Sequence, residues 1–267
     1  GQSNSIDIAR AICYAVDRGA RVINISYTGD SPTRIEQRAI DYALAYNVLV
    51  VTAAGNQAIN MQQRGLAGAR GVLTVAGTTT TNTRAAFSNF GQPIAISAPS
   101  MDVLSLRARG TDFLLYVGEN PNYVSETGVV GPQRDLYRAS GTSFAAPLVS
   151  GTASFLFSQR PALTARQVQN MLLMSADDLD VPGWDQNTGV GLINVRKALQ
   201  SAPDHFLTAR IFQIRPVRRD GQVVLEKMER AVLVLVPAKH LLMAGQAEQI
   251  EGHNWTVLMQ ALGKMGH

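Results

Sequence analysis

In the segment SGTSFAAPLVSG, residues 140–151, Ser143 stands between a glycine-bearing turn and an apolar run that reads as a helix. At a helix N-terminus an oxygen meets unpaired backbone N–H groups and the positive end of the dipole, so developing negative charge is stabilised there. That setting suits a nucleophilic serine. It also suits an ordinary cap, whose oxygen only accepts first-turn N–H bonds. Pro147 lies four residues on, inside the predicted helix, where proline costs backbone hydrogen bonding unless it falls within the first turn or so. Two further segments carry usable polar groups. VTAAGNQ brings Asn56 to the end of an apolar run, and NISYTGD brings Ser26 to Gly29 to the end of another. Asparagine at a loop start is common turn chemistry, and its amide is also a suitable donor to an oxyanion.

The elements that position these residues alternate along the chain. IDIARAICYAVDRG has apolar residues at helical spacing and ends at Gly19, and ARVINISY follows as a strand. SPTRIEQRAIDYALAYN reads as a helix with Pro32 in its first turn and Asn47 near its end. VLVVTAAG is a near-continuous apolar run, as expected of a strand buried on both faces. GVLTVAG and PIAISAP are further strands, and TARQVQNMLLMSA is a helix whose Thr164 and Gln167 have capping-box spacing. Strands alternating with helices predict an α/β fold with a parallel sheet, which gathers its site at the carboxyl ends of the strands. On that placement Ser143 opens a long helix, Asn56 ends a central strand, and the two side chains reach one carbonyl.

Composition narrows the function. At 267 residues and 46% hydrophobic the chain can bury a large core. A net charge of +4 with only 16% charged residues, and no arginine–aromatic interleaving, argues against a nucleic-acid partner. No apolar run reaches the roughly 18 residues of a membrane span. Cys13, the one cysteine, sits in an apolar helix pattern and reads as a small core residue. The sequence begins with Gly and carries no signal-peptide pattern, so its start is expected to be a processing site or an artificial boundary.

Together these segments resemble the subtilisin-like serine peptidases. GTSFAAP is similar to the family's nucleophile motif, AAGN to the segment with the oxyanion-hole asparagine, VINISYTG to the strand that pairs with extended substrate, and AAFSNFG with AISAP to the stretch between them. The four matches occur in the family's order and cover roughly residues 1–200. The resemblance implies a subtilisin-like parallel sheet flanked by helices and a polypeptide substrate. It assigns Ser143 as nucleophile, with Asn56 and the Ser143 backbone N–H as oxyanion hole. Ser26, Tyr27 and Thr28 become one wall of the specificity pocket and Ala53, Ala54 and Gly55 the other. A secreted or extracytoplasmic location also follows from the family, whose members often bind structural calcium. No acidic loop has convincing calcium-ligand spacing, so no metal or cofactor is assigned. SADDLDVPGWDQNTG, residues 175–189, reads as a solvated loop.

One departure outweighs the matches. The family orders its triad Asp, His, Ser, but all four histidines, His205, His240, His253 and His267, follow Ser143, and none has the family's His-Gly-Thr setting. The expected source of the Asp and His is a missing amino-terminal segment or another chain. The sheet is then incomplete at its N-terminal side, and its open edge is expected to pair with another chain or to be covered by the tail. Thr28 and Ser100 stand where the family usually has glycine; the first narrows the pocket wall, the second alters a turn.

After about residue 202 the composition changes. The expected division is 1–202 for the peptidase portion and 203–267 for an appendage. This appendage reads as a strand, an Asp220-Gly221 turn, a second strand and a short helix pair. Arg215, Arg218 and Arg219 read as a solvated hairpin tip, and His253 beside Trp255 as a metal or base candidate without partner spacing. Two alternatives stand beside the endopeptidase: a non-catalytic relative used for binding or assembly, and an esterase-like hydrolase in which a tail histidine reaches Ser143.

Overall fold

The computed structural model describes residues 4–27, 29, 33–62, 65–106, 128–130, 136–201, 205–219 and 222–236. They divide into two compact units, Gly1–Ser201 and Ala202–His267.

In the first unit, helix α1 (Ser5–Asp17) starts at Asn4, whose side chain accepts the Ile6 and Asp7 N–H groups at 3.0 Å each. Strand β1 (Val22–Ile25) follows, then α2 (Arg34–Ala45), which begins with a capping box between Thr33 and Glu36. The helix therefore starts after Thr33; Pro32, expected in its first turn, lies outside the described residues. Just past α2, Asn47 adopts the left-handed region at φ 60°, and its side chain accepts the Ala165 N–H at 2.7 Å.

Strands β2 (Leu49–Ala53), β3 (Leu73–Thr78) and β4 (Ile96–Pro99) complete a parallel sheet in the order β1-β2-β3-β4. Every residue of β2 and β3 is buried, as apolar runs between two helical layers require. Alternation along β2 separates those layers. Val48 and Val50 pack with Ala9, Ile12, Ala39 and Ile40 of α1 and α2. Leu49, Val51 and Ala53 pack with helices α3 (Thr142–Gln159), α4 (Ala165–Met174) and α5 (Val195–Gln200). Thr164 and Gln167 form the capping box of α4. Among the described residues β1 pairs on one side only, with β2, so it is an edge strand.

A second, small antiparallel sheet, unforeseen in the sequence reading, consists of β5 (Val103–Leu106), β6 (Gly128–Val130) and β7 (Leu136–Ala139), in the order β5-β7-β6. Strand β7 leads directly into the turn before α3.

The second unit contains an antiparallel pair, β8 (His205–Arg219) and β9 (Gln222–Val236). Arg219 pairs with Gln222, the register of a two-residue connection. Asp220 and Gly221, expected as its turn, lie outside the described residues, as does the expected helix pair after residue 236.

Candidate active site

The carboxyl end of β2 and the start of α3 meet through one threonine. The chain leaves β2 through Ala54 and Gly55, which has φ 102°. Gly55 N–H donates to Thr142 Oγ1 at 3.0 Å, and Thr142 in turn donates both its N–H and its Oγ1–H to Asn56 Oδ1, each at 2.9 Å. Two donors on one carbonyl oxygen fix which way the Asn56 amide faces. Its Nδ2 is left without an acceptor among the described residues, a donor available at the head of α3.

Asn89, buried, holds the loop that carries Asn56. Its Oδ1 accepts the N–H groups of Gln57 and Ile59 at 3.0 and 3.1 Å, and its Nδ2 donates to Ala54 O and Gln57 Oε1 at 2.9 Å each. All four hydrogen-bonding positions of the side chain are used, as burial of an amide demands. The sequence reading places Asn89 within AAFSNFG but gives it no role. Nor does it single out Thr142.

Ser143 is the second residue of α3. The cap position belongs to Gly141, with φ 148° and no capping side chain, so Ser143 is not the helix cap. Among the described residues its Oγ makes one long contact, 3.5 Å to Ser26 O, and Ser26 Oγ donates to Ser143 O at 3.0 Å. Ser143, Asn56 and Ser26 are thus brought together by the ends of β1 and β2 and the first turn of α3. Tyr27 is 38% exposed beside them, and Thr28 lies outside the described residues. Ala53 and Ala54 are each 1% exposed, and Gly55 is buried too. The wall assigned to residues 53–55 is therefore packed: Ala53 lies in the core under α3, and Ala54 among Met61, Ala67, Ala76 and Ile94. Ser100, expected only to alter a turn, is buried; its Oγ donates to Thr78 O at 3.1 Å and its carbonyl accepts Gly141 N–H at 2.7 Å.

The first unit contains no histidine. His205 opens β8 in the second unit, and the other three lie outside the described residues. Among the described residues no group of His, Cys, Asp and Glu could hold a metal. The acidic stretch 175–189 is not merely a solvated loop. Asp185 is buried, with Oδ1 accepting Asn187 and Thr188 N–H groups at 2.6 and 3.0 Å and Oδ2 accepting the Thr188 hydroxyl. Nearby, a hydrogen bond from Lys197 and another from Asn194 hold the Asp177 carboxyl below its ordinary range.

Comparison with known proteins finds proteases. Fervidolysin of Fervidobacterium pennivorans is 34% identical over 196 residues, 72% of this chain and 27% of that protein. An extracellular protease of Xanthomonas campestris is 34% identical over 186 residues, 68% of this chain and 29% of that protein. The chain thus spans less than a third of the length of either. The crystal structure of a lanthipeptide protease superposes with a TM-score of 0.62 at 28% identity, over 74% of this chain and 66% of that one. No described helix is long and apolar enough to cross a membrane. A model of the subtilase family matches residues 1–191, the same unit that holds Ser143, Thr142 and Asn56, and the chain belongs to that family.

Proposed function

We propose that this chain carries the nucleophile and oxyanion half of a serine endopeptidase site, and that an Asp and a His outside this sequence complete it. The observation that carries the reading is Asn56 held by Thr142 immediately beside Ser143, with its Nδ2 free among the described residues. In the proposed reaction Ser143 Oγ attacks the carbonyl carbon of the scissile peptide bond, and the histidine takes the hydroxyl proton and passes it to the leaving amine. Asn56 Nδ2 and the Ser143 N–H donate to the oxyanion of each tetrahedral intermediate. Water, deprotonated by the same histidine, then hydrolyses the acyl-enzyme and restores Ser143.

An extended polypeptide substrate runs beside Ser26, Tyr27 and Thr28. The open edge of β1 is the place for a further strand, supplied by the segment bearing the Asp and His or by another chain, since unpaired edges invite pairing. A location outside the cytoplasm is supported by the relative named as an extracellular protease.

A serine-directed fluorophosphonate probe tests the reading. Labelling at Ser143 is expected only when an amino-terminal subtilase fragment bearing the Asp and His is added, and is lost in Ser143→Ala. Rapid labelling of the lone chain would point instead to a histidine of the tail. No labelling under either condition would leave a binding or assembly role.

A further inference from the structure

In an α-helix the carbonyl of residue 143 accepts the N–H of residue 147. Here residue 147 is proline, which has no N–H, inside α3. The Ser143 carbonyl has therefore lost its helical donor. The hydroxyl of Ser26, from the end of β1, stands in its place at 3.0 Å.

The direction of every proton behind that contact follows from it. A carbonyl only accepts, so Ser26 Oγ–H must donate to Ser143 O. Ser26 Oγ then accepts from Asn24, whose Nδ2 lies 2.9 Å away. With its NH2 turned to Ser26, Asn24 presents Oδ1 to Ser150, whose Oγ lies 2.9 Å away. Ser150 Oγ also lies 3.0 Å from Ala146 O and divides its one proton between the two acceptors. The chain of hydroxyl, amide and hydroxyl thus begins and ends on α3, spanning the turn that the proline opens, and it is anchored on β1 between. The Ser26 carbonyl lies 3.5 Å from the Ser143 hydroxyl, too long to restrain it, so the 3.0 Å bond to the Ser143 carbonyl is the one that holds.

We propose that Ser26 is a positioning residue for the nucleophile, its hydroxyl replacing the helical donor that Pro147 lacks, with Asn24 and Ser150 orienting it. This rests on the reading of Ser143 as nucleophile. Fixing the Ser143 main chain fixes both its Oγ and the N–H proposed for the oxyanion, and a misplacement of about 1 Å at a reacting centre can cost roughly 100-fold in rate. Ser26 is exposed, and water can partly replace its hydroxyl.

The test is a cycle of Ser26→Ala and Pro147→Ala, because alanine at that helix position restores the missing N–H. With the amino-terminal fragment added, Ser26→Ala should lower kcat about tenfold, or about 1.4 kcal/mol, with KM within about twofold. In the Pro147→Ala background the same change should lower kcat by less than about threefold. In the chain without the fragment, Ser26→Ala should lower Tm by about 2 to 4 °C with Pro147 present, and by less than half of that in the Pro147→Ala background. Equal losses in both backgrounds, or an effect confined to KM, would overturn the proposal. If the unsubstituted pair shows no turnover, the peptidase reading fails, and the Tm cycle alone decides whether Ser26 supports α3.

Discussion

Thr142 Oγ1 accepts from Gly55 and donates to Asn56, so a single hydroxyl ties the β2 exit to the head of α3. Valine has the same shape without either bond. Thr142→Val should leave the Gly55 N–H buried and unsatisfied, lowering stability by about 1 to 3 kcal/mol in chemical denaturation. It should also reduce turnover of the completed site, because Asn56 keeps one orienting donor of two. Asn56→Ala should reduce kcat by about 100- to 1,000-fold, the range known for removing one such donor in a subtilisin, with little change in KM. Asn56 was legible in the sequence as an amide just past a buried run. Thr142 and Asn89 were not: each acts through bonds to a segment between 30 and 87 residues away, and no local spacing encodes such a bond.

At the scale of elements, α3 reaches the sheet through small residues. At Gly77 of β3 the space is closed mainly by Ser100: a Cβ there would lie 2.3 Å from Ser100 Oγ, 2.6 Å from Ser100 Cβ and 3.4 Å from Thr142 Cγ2. Gly77→Ala should therefore cost about 1 to 3 kcal/mol as overpacking, measured as a loss in denaturation midpoint. Adding Ser100→Gly should recover part of that loss, whereas an unchanged loss would mean that the contact is not the cause. Strands β2 and β3 could be read from their unbroken apolar runs, and α4 from its capping box. Strand β5 could not, because the four residues VLSL are too few to show a period and their pairing partner is the distant β7. Asp185 escaped the sequence reading for a different reason: its partners lie two and three residues away, a turn pattern indistinguishable in composition from a solvated loop.

For the whole molecule, the family match and the site lie in one unit, while that unit holds no histidine and its sheet, among the described residues, has an open edge at β1. The complement proposed above, a segment carrying a strand and a general base, would answer both features. Sedimentation of the dilute chain should show self-association that falls when the amino-terminal fragment is added. A monomer whose tail can be removed without loss of solubility would count against pairing at that edge. The central claim is tested most directly by peptide hydrolysis. A base must come within about 2.6 to 3.2 Å of the Ser143 hydroxyl, and loss of the histidine in a subtilisin lowers turnover by about 10^6-fold. Purified chain alone should therefore give no measurable hydrolysis of a peptide substrate, and addition of a fragment bearing the Asp and His should restore it in the unsubstituted chain but not in Ser143→Ala. Robust hydrolysis by the lone chain, abolished by Ser143→Ala and by replacing a single tail histidine, would contradict the account.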